Sequence, residues 1–239
     1  MRPKGPHRPF GKPHKAKRPA LTAKASNEKP VIWYTKWMND LDTQVIFDHF
    51  HRDGHSAKLA FSNAARAFSP VSDSLAPEFL YFSNRTKIKT SCRDAFQIKD
   101  GILICSPAFH DLLMRFDIGS SRLYEVPIYR DENKTPSGIP PHYVLRVTEG
   151  KPGCFVPEES TNVFQYKRHD AEFPEPDANW RNGYGHDQLA VRASAAQGVD
   201  LWYDPKLRYR LFLSDRLVTA IEEDGLKSRA FRFFRAKTV

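Results

Sequence analysis

A chain of 239 residues that is 40% hydrophobic and 13% aromatic has the material for a packed core, as one large domain or two small ones. No apolar run approaches the roughly 20 residues that span a bilayer, and the opening residues lack the apolar stretch of a secretory signal, so a cytoplasmic location is expected. Eight Lys or Arg and no Asp or Glu fall in residues 1–27, so most of the net charge of +9 sits there; the remaining 29 basic and 28 acidic residues leave the body balanced. Cys92, Cys105 and Cys154 form no Cys-x-x-Cys pair, which argues against a zinc ribbon or a disulfide scaffold and for reduced thiols.

Taken in order, residues 1–28 carry Pro3, Pro6, Pro9, Pro13 and Pro19 among scattered apolar residues. Such a segment cannot bury enough surface to offset its ordering entropy, and a disordered basic tail with weak, nonspecific affinity for polyanions is expected. The domain then begins at residue 29. Val31 to Thr35 suits a strand. Leu41, Val45, Ile46, His49 and Phe50 fit an amphipathic helix capped by Asp40 or Asp42 and ended by Gly54, while alternation through Val45, Phe47, His49 and His51 fits a strand equally well. On a strand, His49 and His51 share a face to which an Asp53–Gly54 turn would return His55. Clusters this loose are mostly surface or satisfied core histidines, so no metal site is assigned. Phe79 to Phe82 reads as another strand and Asn84 to Asp94 as a connection.

From Phe96 the signals sharpen. Ile102 to Cys105 is a buried strand, Ser106 a helix N-cap with Pro107 at the first helical position, and Phe109, Leu112, Leu113 and Phe116 one helical face that Gly119 ends. Leu123 to Tyr129 and His142 to Val147 alternate as an antiparallel hairpin joined by a long turn-rich loop, with Pro127 marking an edge or a bulge. Residues 149–186 show no sustained period and read as a long irregular loop. Within it, Trp180 and Tyr184 are the residue types that anchor interfaces, and Asp170, Glu172, Glu175 and Asp177 surround them with negative charge suited to a basic partner. Trp180 packed in a core beside a solvated acidic face is the competing reading.

The end of the chain repeats the earlier unit: Leu211 to Leu213 is a strand, Ser214 an N-cap, and Leu217, Val218 and Ile221 a helical face ended by Asp224–Gly225. At an offset of 108, Leu103, Ile104, Cys105, Ser106, Phe109 and Leu113 fall on Leu211, Phe212, Leu213, Ser214, Leu217 and Ile221. A last strand is expected over Ala230 to Phe234, where interleaved Arg229, Arg232 and Arg235 read as edge protection more readily than as a nucleic-acid platform. No phosphate-binding glycine loop, dinucleotide fingerprint or nucleophile elbow occurs, and no sequence signal pairs Cys154 with His110, His142 or His169, so no catalytic residue and no cofactor is assigned.

The segments DAFQIKDGILICSPAFHDLL, LYEVPIYR, HYVLRV and VDLWYDPKLRYRLFLSDRLVTAIEEDGL resemble, in order, the core of one bacterial immunity-protein family, the eleventh class of polymorphic toxin systems, also known as a domain of unknown function. The resemblance covers 94–239 and rests on Asp94 and Phe96, Ser106, Leu145 and Val147, and Ser214, Leu217 and Gly225. It implies neutralisation of a cognate bacterial toxin by stoichiometric protein–protein interaction, not turnover. The expectation is thus a single α+β domain over 29–239, mainly antiparallel, with two strand-Ser-helix units packed on it. The alternative is a nucleic-acid or ribosome-associated accessory protein recruited through the basic tail; a small hydrolase with the long loop as lid would need a reactive residue that the sequence does not display.

Overall fold

Hydrophobic alternation on either side of Ser106 and Ser214 folds into two four-stranded antiparallel sheets of the same construction. The computed structural model describes residues 29–35, 47–83, 94–98, 101–166, 179–182, 185–207, 210–226 and 232–239. The expected basic tail, the helix-or-strand question over 41–46 and the connection 84–93 lie outside the described residues.

Strands β1 (Ile32–Thr35), β2 (Phe47–Phe50), β3 (Phe79–Phe82), β4 (Ala95–Gln97), β5 (Leu103–Cys105), β6 (Arg122–Val126), β7 (Ile128–Tyr129) and β8 (His142–Arg146) precede the short pairs β9 (Val163–Tyr166) and β10 (Asn179–Asn182). Then come β11 (Ala190–Val191), β12 (Leu201–Trp202), β13 (Leu211–Ser214), β14 (Phe233–Arg235) and β15 (Lys237–Thr238). The helices are α1 (Gly54–Ala67), α2 (Pro107–Leu113) and α3 (Asp215–Glu223). The first sheet runs β4-β5-β8-β6 and the second β12-β13-β1-β14. In register, Phe96 faces Ile104 and Trp202 faces Phe212, while Tyr143 faces Cys105 and Trp33 faces Leu213. The second sheet draws its third strand, β1, from the amino-terminal part of the domain, where the first sheet uses β8. The duplication is therefore larger than the eleven-position repeat visible in the sequence.

Because strand neighbours point to opposite faces, each sheet feeds two cores. Leu103, Cys105 and Leu145 meet Leu211, Leu213 and the buried faces of α2 and α3 in a shared central core. The outer face of the first sheet (Phe96, Ile104, Val144) is covered by Phe61 and Ala65 of α1 and by the sheet β2-β3-β7, in which β3 and β7 pair in parallel. The outer face of the second (Tyr34, Trp202, Phe212) is covered by Phe155, Leu189 and Leu207. The arrangement is α+β and mainly antiparallel, as expected, and among the described residues no helix is long and apolar enough to cross a membrane.

One choice left open by the sequence is settled, and three local expectations are revised. His49 lies on a strand, and Gly54 begins a helix instead of ending one: Ala57, Phe61, Ala64 and Ala65 recur at helical spacing and are all buried, with Phe68 in the left-handed conformation as the stop. Helix α2 ends at Leu113, well before Gly119, whose positive φ of 60° serves a later turn; a Cβ there would collide with the Glu149 carboxylate. The irregular stretch 149–186 contains the antiparallel hairpin of β9 and β10. The last strands fall at 233–235 and 237–238, later than expected, because β14 must reach Trp33, Tyr34 and Thr35 in register. Pro127 stands where expected: it follows β6 at a sheet edge, and there the chain leaves the first sheet to pair as β7 with β3.

Candidate functional site

The polar chemistry concentrates where each unit turns from strand into helix. Ser214 caps α3 by accepting from the Leu217 N–H at 3.3 Å, and its hydroxyl donates to Asp200 at 2.6 Å. Asp200, buried at 1% exposure, also accepts from Arg216 Nε at 2.5 Å, Arg216 Nη2 at 2.6 Å and the Asp117 backbone N–H at 2.9 Å. Four donors thus close on one carboxylate, and the Asp200 hydrogen bonds hold the Arg216 guanidinium charged even more firmly than usual.

The first unit has the same core of contacts and a different rim. Ser106 accepts from the Phe109 N–H at 3.2 Å and donates to Asp94 at 2.9 Å. Its backbone N–H donates to the Asp94 carbonyl, as the Ser214 N–H does to that of Asp200. The second helical position, which holds Arg216 in α3, holds the exposed Ala108 in α2. Ile32, which pairs with Ser214, is matched in the first unit by His142 beside Ser106, one step beyond the pairing of Cys105 with Tyr143. The His142 ring is buried; its Nδ1–H donates to the Pro140 carbonyl at 2.9 Å, which leaves Nε2 as a lone-pair acceptor with no hydrogen-bond partner. Burial pushes this imidazole below its ordinary pKa, opposed by the Pro140 and Pro141 carbonyls and by the nearby Asp94 charge.

Asp94, Ser106 and His142 are the residue types of a nucleophilic triad in the wrong order. A triad needs the imidazole between serine and carboxylate; here the serine donates straight to the carboxylate while its lone pair caps a helix. The thiols are also poorly placed for nucleophilic work. Burial pushes Cys105 well up, and burial with the Asp204 carboxylate pushes Cys154 to about 12, so both are protonated at neutral pH.

His49 and His51 do share a strand face, but their rings bond each other, Nδ1 to Nε2 at 2.7 Å, and His51 Nδ1–H donates to the Leu75 carbonyl at 2.9 Å. His55 stands exposed on the first turn of α1, so the expected return to that face does not occur. Among the described residues no three His, Cys, Asp or Glu group for a metal.

Of the six expected partner-binding residues, Asp170, Glu172, Glu175, Asp177 and Tyr184 lie outside the described residues. Trp180 is half-buried on β10, edge-on to Phe155 at 6.1 Å, with its backbone N–H on the Lys206 carbonyl at 2.9 Å. On the neighbouring strand Phe164 is 55% exposed. The pairing of Tyr166 with Asn179 sets the two ends of segment 167–178 side by side. Arg235, expected as edge protection, pairs with Asp187 at 3.0 Å on the outermost strand of its sheet.

Three functional-looking side chains escaped sequence reasoning. Asp200 had a readable signal, since Asp200-Leu201-Trp202 precedes its serine much as Asp94-Ala95-Phe96 does. His142 and Arg146 had none. Arg146 is buried with its guanidinium over the Phe61 ring at 5.2 Å and bonded to the Ser69 carbonyl just beyond α1, where the helix dipole favours a cation. Compared with protein-family models and with curated proteins, the chain matches none.

Proposed function

We propose that the chain is a binding protein of the immunity kind, which neutralises a bacterial toxin by occupying it in a one-to-one complex. The observation that carries this reading is the β9–β10 hairpin: it roots Trp180 on Phe155, leaves Phe164 55% exposed, and presents both ends of the acidic segment 167–178 together. An exposed aromatic on a hairpin whose connecting sequence carries Asp170, Glu172, Glu175 and Asp177 suits a basic protein surface, with the aromatic supplying contact area and the charge supplying approach rate and selectivity. The residues behind the resemblance support the same reading as framework. Phe96, Leu145, Val147 and Leu217 are core, Ser106 and Ser214 are caps, and Gly225 takes a positive φ of 65° after α3. Reactive groups committed to caps or kept as buried thiols fit inhibition by occupancy.

The test is co-expression with the C-terminal domain of a secreted protein encoded beside this chain. Expected are restored growth and a one-to-one complex on size exclusion, both retained when residues 1–28 are deleted and at raised salt. Phe164→Ala is expected to weaken the complex by more than about tenfold without moving the unfolding midpoint. Absence of both rescue and complex sinks the proposal, whereas rescue that disappears with residues 1–28 transfers the weight to a tail-driven, electrostatic association.

A further inference from the structure

Strand register sets two arginines directly opposite each other on the first sheet: Arg122 of β6 pairs with Arg146 of β8, and Tyr124, two residues on, shares their face. Like charges so placed destabilise a sheet, and among the described residues neither guanidinium has a carboxylate partner. Arg146 is 3% exposed, donates through Nη2 to the Ser69 carbonyl and lies over the Phe61 ring. Those contacts account for one nitrogen and one face. Nε is buried without a partner, whereas Nη1, which also donates to nothing among the described residues, is not sealed from solvent and forms the outward edge of the group. Burial pushes this guanidinium below its usual pKa, opposed by the phenols of Tyr124 and Tyr203, which are themselves pushed up and uncharged at neutral pH. The surroundings of that edge are rich in donors. Arg122, exposed, bends Nη1 back onto the Ser120 and Ser121 carbonyls at 3.1 and 3.2 Å, with Nε and Nη2 unengaged among the described residues. The half-buried Tyr203 ring stacks on Phe68 at 4.8 Å, within electrostatic reach of Arg146, and its hydroxyl has no partner among the described residues. Two nearby carboxylates are engaged elsewhere, Asp73 by the Tyr124 hydroxyl at 2.5 Å and Glu149 by the Ser120 N–H and hydroxyl at 3.0 and 2.9 Å.

We infer that Arg122, Arg146 and the Tyr203 hydroxyl form a site for the phosphoryl group of a small phosphorylated ligand, a role separate from partner binding. All three groups offer hydrogens, and the two guanidiniums add permanent charge, so the ligand they suit is an anion that only accepts. A flat carboxylate is best gripped by two adjacent N–H groups of one guanidinium. Arg146 has Nη2 already serving Ser69 and Nε sealed, so Nη1 is its free donor. Single contacts from several directions suit a tetrahedral group with three terminal oxygens. Charge agrees, since a phosphomonoester carries about −1.5 to −2 at neutral pH and balances both arginines, where a carboxylate balances one. The site also lies where β6 and β8 of the first sheet meet the end of α1 and the residue that follows β12 of the second, so an occupied site ties these parts together.

The experiment titrates inorganic phosphate into the full chain by calorimetry at constant ionic strength, with acetate as the carboxylate probe, and repeats both on Arg122→Gln, Tyr203→Phe and Arg146→Met. Expected is one saturable phosphate site, weakened about tenfold or more in Arg122→Gln and less in Tyr203→Phe, with acetate bound far more weakly. Arg122 is exposed, and Tyr203→Phe keeps the ring on Phe68, so both variants are expected to hold their unfolding midpoint in chloride and carry the test if Arg146→Met does not fold. An Arg146 that serves only to staple α1 to the sheet gives a lowered midpoint in Arg146→Met and no saturable phosphate binding in any chain, which overturns the inference. Phosphate bound equally by the unaltered chain and by Arg122→Gln overturns it too, and is what the basic residues 1–27 would give. Acetate bound as tightly as phosphate, with the same dependence on Arg122, overturns the phosphoryl assignment in favour of a carboxylate. The toxin-binding reading stands or falls separately.

Discussion

The unit ending at Ser106 and the unit ending at Ser214 share strand order, register, cap and the aspartate behind the cap, and they part company at the outermost polar position. In the second, Arg216 closes over Asp200, and the Asp117 N–H from the chain just after α2 joins it, so that carboxylate also ties one unit to the other. A second tie, Arg115 to Asp224 at 2.5 Å, joins the segments that follow the two helices. In the first, Asp94 is left with its serine, an exposed alanine and a recessed imidazole. The serine–aspartate pair is therefore the part that the backbone turn requires, because both copies keep it, and the rim is the part free to take a task. One end is closed by Arg216 and the other has no such closure among the described residues.

The largest expected effect tests that division. Asp200→Ala strands the Ser214 hydroxyl, the Asp117 N–H and one face of a guanidinium around a cavity, and is expected to cost about 3 kcal/mol. The value falls below that for a fully buried pair because the Arg216 side chain is 56% exposed and water can serve it. Asp94→Ala, which deprives one hydroxyl at a half-exposed end, is expected to cost about 1 kcal/mol. Urea midpoints with unchanged slopes would read both; equal losses would erase the distinction between the closed end and the one without that closure. Removing the caps is expected to give a smaller version of the same asymmetry, about 2 kcal/mol for Ser214→Ala and about 1 kcal/mol for Ser106→Ala. The nine-residue α3 depends on a cap bonded into the Asp200 network, whereas the seven-residue α2 also has Pro107 to set its first turn.

How much of this was legible follows from the range over which each signal acts. Caps, stops and apolar faces are local, so Ser106, Ser214, Leu217 and the Asp224–Gly225 stop could be read directly, and both helical faces are buried as expected. The hairpin partners of Ile104 and Phe212 could not, because Phe96 and Trp202 lie at unequal distances from them in sequence and a fixed offset of 108 cannot align both. Helix α1 was hidden by Gly54, which reads as a stop unless Ala57, Phe61, Ala64 and Ala65 are weighed together. His142 acquires its meaning only through a strand pairing 36 residues away, as does the Asp200 site through Asp117. The segment proposed for partner contact was legible as a type, acidic and aromatic, whereas the β9–β10 register that brackets it was not, because such short strands do not announce their pairing.

The smallest expected effect concerns acid, and it should belong to the first unit. His142 is held below its ordinary pKa of 6.5 chiefly by burial, and so is His51 just after β2. Above about pH 6.5 both rings are neutral folded or unfolded, and their contribution to stability is complete. As the pH falls below that value, the unfolded chain takes up protons that the folded chain refuses, so stability declines across the window between the unfolded and folded values. The second unit has Ile32 in the matching place and contributes nothing there. Importing that residue as His142→Ile removes one of the two refusals, so the urea midpoint should fall less steeply between about pH 6.5 and pH 5, with the remainder owed to His51. A slope identical to that of the unaltered chain would mean that His142 takes up its proton as readily folded as unfolded, and a steeper one that the fold holds it protonated.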